Sequence, residues 1–81
     1  MNAIRNELIR KIIARVMNVS NPEEFGLLSI ETLDSWDSIS HLSLMLELEK
    51  EFDIKIPIET SVTLTDEQKI NEEINGLKSN Q

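Results

Sequence analysis

The stretch Leu33-Asp34-Ser35-Trp36-Asp37-Ser38-Ile39-Ser40-His41-Leu42 decides the fold, because it sets an acidic helix cap before the clearest helical pattern in the chain. Asp37 is the predicted N-cap, since an aspartate side chain accepts hydrogen bonds from the first free backbone amides of a helix. The pattern predicts a helix over 38–52 that begins at Ser38. The residues expected to face the core are Leu44, Met45, Leu48 and Phe52.

Ser38 stands in the first turn of this predicted helix. The first backbone amides of a helix have no intrahelical acceptor, and the helix dipole makes that end positive. A phosphodiester on a serine at this point is stabilised by both effects. Serine is also favoured at helix starts for its capping ability alone, so periodicity does not by itself make Ser38 a site.

The rest of the chain predicts an all-α fold in one domain over 1–81, a small four-helix bundle with three main helices. Helix one is predicted over about 2–17, with its basic residues solvated, and a long first loop over 18–37. A short third helix over about 59–63 has weak propensity, because its residues are mostly β-branched. Helix four is predicted over about 66–76.

Several local features sharpen this prediction. Thr65-Asp66-Glu67-Gln68 is typical of a capping box and Asn75-Gly76 of a helix end. The Trp36 ring is expected to anchor the long loop, with its N–H reaching solvent. Residues 52–58 alternate like a strand, but Pro57 would remove a donor from a sheet ladder, so no strand is predicted. The loop residues expected to find shelter are Phe25, Leu27, Leu28, Ile30 and Leu33.

The formal charge is −7 and unevenly distributed: residues 1–15 hold four Arg or Lys and one Glu, while later positions hold four Lys and 14 acids. An acidic body argues against nucleic acid and anionic membranes as partners and for basic partner surfaces, but acids also serve simply to keep a small domain in solution, and charge alone does not separate these two roles. The chain has no cysteine, which excludes disulfides and thiolate metal sites. Basic residues interrupt the apolar start, so neither a signal peptide nor a membrane span is expected, and a cytoplasmic monomer is the default expectation.

From Asp37 onward the chain resembles the acyl carrier protein family, whose mark is Asp-Ser-Leu before an amphipathic helix rich in Leu and Glu. The matching residues are Asp37-Ser38-Ile39, Leu42, Leu44, Leu48, Glu49, Glu51, Phe52, Ile54 and Ile56-Pro57. Length and helix order are also similar, and the Trp-Asp-Ser sequence looks like the small free-standing carriers. The chain departs from the family where Ser35 and Ile39 replace a frequent Gly and Leu, and where Ser40 and Ser43 replace the acids usual in fatty-acid carriers.

The resemblance implies that Ser38 carries a 4'-phosphopantetheine arm, transferred from coenzyme A by a phosphopantetheinyl transferase. The arm's thiol would hold acyl intermediates of fatty acid or polyketide biosynthesis as thioesters, and the carrier would not itself be an enzyme. Acyl-loading ligases and acyl-processing enzymes would dock through basic surfaces. The residues expected to meet these partners are Asp37, Ile39, Leu42, Leu46, Glu47, Glu49 and Glu51.

Other interpretations remain open from the residues. In one, the arm holds an aminoacyl or peptidyl group and is loaded by an adenylating ligase; in another, the fold is an unmodified interaction adaptor. A hydrolase using Ser38 and His41 is a third hypothesis, since a helix brings positions i and i+3 together, but Asp37 adjoins the serine instead of orienting the imidazole. His41 is the one histidine and no cysteine exists, so no metal site is expected. The apolar set Ile39, Leu42 and Leu46 fits either a contact surface or ordinary packing against the loop.

Overall fold

A computed structural model describes residues 3–79, and these residues confirm the predicted all-α fold, with three main helices, a short third helix and a long first loop. A single 3₁₀ turn at Pro22–Glu24 interrupts the loop, and no strand forms within the described range. The first predicted position of helix one, residue 2, lies outside the described residues. The four helices are α1 Ala3–Val16, α2 Ser38–Phe52, α3 Ile58–Ser61 and α4 Glu67–Ser79.

The core is one cluster in which α1 packs against both α2 and α4. The four residues predicted for the inner face of α2 are all buried there. Each fully buried aliphatic or aromatic side chain contributes about 1.5–3 kcal/mol of transfer free energy. The cluster therefore fixes α2, and with it Ser38, against the other main helices. Its largest fully buried side chains are Trp36, Ile9, Ile13, Met17, Leu28, Leu44, Leu48, Ile70 and Ile74.

The long loop covers one side of the bundle through only some of its apolar residues. Leu28 and Leu33 are buried and Phe25 is partly buried, as predicted. The prediction is wrong for Leu27 and Ile30, which are 45% and 44% exposed. A single extended segment can be covered by the bundle on one side only, so the remaining side chains face outward.

Arg10 fastens this loop to α1 and α4. Its guanidinium forms an ion pair with the buried carboxylate of Glu67, which also accepts the backbone N–H of Leu28 at 3.0 Å. The expectation that the basic residues of helix one are simply solvated is therefore wrong for Arg10. The guanidinium also donates to three loop carbonyls, those of Pro22 at 2.6 Å, Phe25 at 3.1 Å and Gly26 at 3.2 Å.

Both ends of α4 differ from the sequence-based prediction. At its start the Asp66 carboxylate accepts the N–H of Lys69 at 2.8 Å, so Asp66 and not Thr65 supplies the cap. At its end the helix continues through Gly76 to Ser79, three residues beyond the predicted stop. The extension is stabilised by Lys78, whose ammonium donates to the carbonyl of Phe52 at 3.0 Å. A contact with the end of α2 thus outweighs the weak helix propensity of glycine.

Candidate functional site

The start of α2 is built as the sequence predicts. Asp37 has an extended backbone, and its carboxylate accepts the N–H of Ser40 at 2.9 Å, which confirms it as the N-cap. The Asp37 carbonyl accepts the N–H of His41 at 2.8 Å, the first bond of the helix. The pKa of the Asp37 carboxyl is lowered, first by the backbone N–H of Ser40 and then by the Ser40 hydroxyl. These hydrogen bonds hold a negative charge beside Ser38.

Ser38 is exposed at the first position of α2. Within residues 3–79 its hydroxyl makes no hydrogen bond, whereas the side chains of Asp37 and His41 on either side of it are engaged. An unengaged hydroxyl on a rigid helix start is accessible to another protein. Ser38 therefore combines an exposed position at a helix start with a hydroxyl that has no hydrogen-bond partner within residues 3–79.

His41 joins three parts of the molecule. Its Nε2 lies 2.8 Å from the carbonyl oxygen of Ser61 in α3, and its Nδ1 lies 3.0 Å from the indole nitrogen of Trp36. A carbonyl only accepts and an indole N–H only donates, so His41 must be the neutral tautomer with hydrogen on Nε2. The two rings are also roughly parallel, at 24° with centroids 6.2 Å apart.

These bonds settle two predictions about the side chains near Ser38. Trp36 anchors the loop, as predicted, and is only 2% exposed. The expectation that its N–H reaches solvent is wrong, because His41 accepts it. Within the described residues neither imidazole nitrogen bonds to Ser38, so the contact that the hydrolase hypothesis requires is not made there.

Two grooves meet at Ser38 and His41, which line both. The first, here the loop-side groove, has a volume of about 320 Å³, and the second, the α3-side groove, has about 260 Å³. The loop-side groove is lined by Ile30, Asp37, Ser38, His41, Val62 and Thr65. The α3-side groove is lined by Ser38, His41, Leu42, Met45, Leu46, Glu49, Ile56, Ile58 and Ser61.

The apolar residues predicted to meet partners lie on the surface around these grooves. Ile39, Leu42 and Leu46 are 79%, 60% and 58% exposed, so they do not pack against the long loop. Ile58 in α3, which lines the α3-side groove with Leu42 and Leu46, is also exposed, as is Val62, which follows α3 and lines the loop-side groove. Sequence reasoning missed these last two, since α3 and the residue after it are too short to show an apolar periodicity.

The acidic residues predicted to meet partners differ in the hydrogen bonds and ion pairs that they form within the protein itself. Glu51 is exposed and has no partner within residues 3–79. Glu47 accepts from Arg15 at 2.9 Å on the surface, and Glu49 accepts the backbone N–H of Ile56 at 2.7 Å. Glu49 therefore has a structural task at the turn after α2, and its docking role stays a prediction, as do those of Glu47 and Glu51.

The described residues contain no group of three or more His, Cys, Asp or Glu side chains placed to hold a metal ion. None of their helices has the length and apolar character needed to cross a membrane. No protein-family model matches the chain, and no curated protein matches it significantly.

Proposed function

We propose that the protein is an acyl carrier in which Ser38 bears a 4'-phosphopantetheine arm. The observation that carries the proposal is the exposed, unpartnered hydroxyl of Ser38 at the capped start of α2, where two grooves meet within the described residues. The sequence resemblance around Asp37-Ser38-Ile39 supplies the identity of the group. Its terminal thiol would supply thioester chemistry for carrying an acyl group.

The residues at Ser38 fit this group. In the attachment step the Ser38 oxygen forms a bond to the pantetheine-bearing phosphorus of coenzyme A. The bond from that phosphorus to adenosine 3',5'-bisphosphate breaks, and the hydroxyl proton passes to a base on the transferase. The positive end of α2 favours the resulting phosphodiester, while the Asp37 cap keeps the first helical turn fixed.

The α3-side groove supports an acyl cargo over an aminoacyl one. Its walls are mainly apolar side chains, and its one acid, Glu49, already accepts the N–H of Ile56. A protonated amino group in this groove would find no free carboxylate to pair with, and its contact with apolar side chains in place of water would be unfavourable. An alkyl chain carries no such cost and gains from leaving water.

Delivery to enzymes follows from the surface around Ser38. Exposed Ile39, Leu42 and Leu46 offer apolar contact next to the arm, and acids on the outer side of α2 attract basic partners. Weak docking permits rapid exchange between enzymes. The tether raises the effective concentration of the thioester at each docked enzyme.

Intact mass spectrometry tests the proposal. The protein is incubated with coenzyme A and a broad-specificity phosphopantetheinyl transferase, beside Ser38→Ala and the matched control Ser43→Ala, since Ser43 is exposed on the same helix. We expect the mass of one phosphopantetheinyl group to be added to the parent and to Ser43→Ala, but not to Ser38→Ala. No addition to a folded parent, under conditions that modify a reference carrier, would overturn the proposal in favour of an unmodified adaptor.

A further inference from the structure

The loop-side groove has no task in the function proposed above. It shares Ser38 and His41 with the α3-side groove, and its other lining residues come from the long loop and from the segment that joins α3 to α4. Its volume of about 320 Å³ falls at the lower end of the range for small-molecule sites. Because Ser38 lines this groove directly, a group attached to that serine reaches it without crossing solvent.

The lining of the loop-side groove combines apolar walls with one available hydroxyl. Ile30 and Val62 line it from different segments of the chain and are 44% and 67% exposed. The hydroxyl of Thr65 makes no hydrogen bond within residues 3–79. His41 presents only its ring surface, because both its nitrogen atoms are engaged by Trp36 and Ser61.

We propose that the loop-side groove binds the pantetheine portion of the arm on Ser38 when the thiol carries no acyl group. This inference rests on the function proposed above. Pantetheine has two geminal methyl groups, which match Ile30 and Val62, and amide and hydroxyl groups, which can pair with Thr65. Attachment at Ser38 removes most of the entropic cost of association, so modest contacts suffice.

The two grooves differ in the hydrogen-bond partners that they offer to an amide group. The α3-side groove is walled mainly by Leu42, Met45, Leu46, Ile56 and Ile58. Its acid, Glu49, is already bonded to a backbone N–H. An amide placed against such side chains without a hydrogen-bond partner is less stable than one that has a partner. The amide-bearing arm therefore favours the loop-side groove, where a hydroxyl is available.

Nuclear Overhauser effects locate the arm. The protein is labelled with ¹³C and ¹⁵N, modified with unlabelled coenzyme A, and recorded with isotope filtering so that contacts between arm and protein are selected. We expect contacts from the geminal methyl protons to the methyl groups of Ile30 and Val62. Contacts to Leu46 and Ile58 instead, or no contacts at all, would overturn the inference. Modification is verified first by mass, so failure there concerns the proposed function and not the groove.

Two exposed apolar residues of the α3 segment provide a matched pair of variants. Val62 lines the loop-side groove and Ile58 lines the α3-side groove, and they are 67% and 78% exposed. We expect Val62→Asn to remove the contact between the arm and Ile30, and Ile58→Asn to leave it intact. Equal loss in both variants would contradict placement in the loop-side groove, provided that amide spectra show both to be folded.

Thr65→Val tests the polar part of the site. The change keeps the shape of the side chain and removes the hydroxyl, while the backbone bond from the N–H of Ile30 to the carbonyl of Thr65 remains. We expect the amide resonances of the arm to move toward their values in free pantetheine. Unchanged arm resonances in a fully modified Thr65→Val protein would show that the hydroxyl does not bind the arm.

Discussion

Asp37 determines both where α2 begins and what charge stands beside Ser38. Its pKa is lowered in the folded chain by the N–H and the hydroxyl of Ser40, so its stabilising contribution is present above the unfolded pKa and is lost as pH falls through the folded value. We expect the melting temperature of the parent to fall with acidification more than that of Asp37→Asn, in which the cap cannot ionise. Thermal unfolding of both proteins, followed by circular dichroism at a series of acidic pH values, checks this prediction. Parallel plots of melting temperature against pH for the two proteins would contradict it.

His41 supplies the hydrogen-bond acceptor for a buried donor. Removing the imidazole in His41→Ala leaves the indole N–H of the buried Trp36 without its acceptor. We expect a loss of about 1–3 kcal/mol in the free energy of unfolding. Urea titration followed by far-ultraviolet circular dichroism measures it.

A double-mutant comparison separates the contribution of this hydrogen bond from that of packing. Trp36→Phe removes the donor and keeps an aromatic ring, so the further cost of His41→Ala should be smaller there than in the parent. The same cost in both backgrounds would mean that the bond between the two rings contributes nothing measurable.

At the scale of elements, the ion pair of Arg10 and Glu67 connects α1, the long loop and α4. Their side chains are 27% and 10% exposed, and Arg10 also binds three carbonyls of the loop. Arg10→Met would leave the Glu67 carboxylate without its cation. We expect the free energy of unfolding to fall by about 2–4 kcal/mol, because breaking a fully buried ion pair costs more than this and breaking an exposed pair costs much less.

Arg15 on the same helix is the matched control for that prediction. It pairs with Glu47 on the surface, where the side chains are 62% and 34% exposed. Arg15→Met should therefore cost less than about 1 kcal/mol. Denaturant unfolding of both variants compares them, and equal losses would show that Arg10 does not fasten the loop.

A substitution at Gly76 tests whether α4 continues beyond its predicted end at Asn75-Gly76. It lies inside the helix, and an added Cβ would meet nothing within 4 Å. Gly76→Ala should therefore raise the free energy of unfolding by roughly 0.5–1 kcal/mol, the difference in helix propensity between the two residues. A destabilised variant in urea titration would mean that the helix ends at this glycine.

Local signals made α2 predictable. The Asp37 cap and the apolar period after Ser38 act within a few residues, and the bounds 38–52 follow from them. Contacts that join distant segments were not predictable, because side-chain partners depend on how the helices pack. The pair of Arg10 and Glu67 spans 57 positions, and the bond that gives His41 its tautomer reaches Ser61 in another element. The volume and lining of the grooves likewise require the packed structure.

At the scale of the whole molecule, the charge of −7 produces a field that would attract the basic enzyme surfaces we propose as partners before contact. The Debye length falls from about 30 Å to about 8 Å between 0.01 and 0.15 M salt. We expect the initial rate of arm attachment to fall over this range, and Glu51→Gln to be slower than the parent at low salt. Mass spectrometry of timed samples measures both.

Glu72→Gln on α4 is the control for position, because it changes the net charge by the same amount as Glu51→Gln and Glu72 is also exposed. Its rate should stay near that of the parent. Equal slowing in both variants would mean that total charge, and not the acidic residues of α2, governs docking.

The central claim is that the arm is attached at Ser38 and not at a neighbouring serine. Trypsin releases a peptide over 16–50 that contains the other candidates Ser35, Ser40 and Ser43. Tandem mass spectrometry of this peptide from the modified protein should place the added mass on fragments that include Ser38, and not on amino-terminal fragments that end at Asp37. Added mass on those fragments, or on carboxyl-terminal fragments that begin at Ile39, would contradict the account.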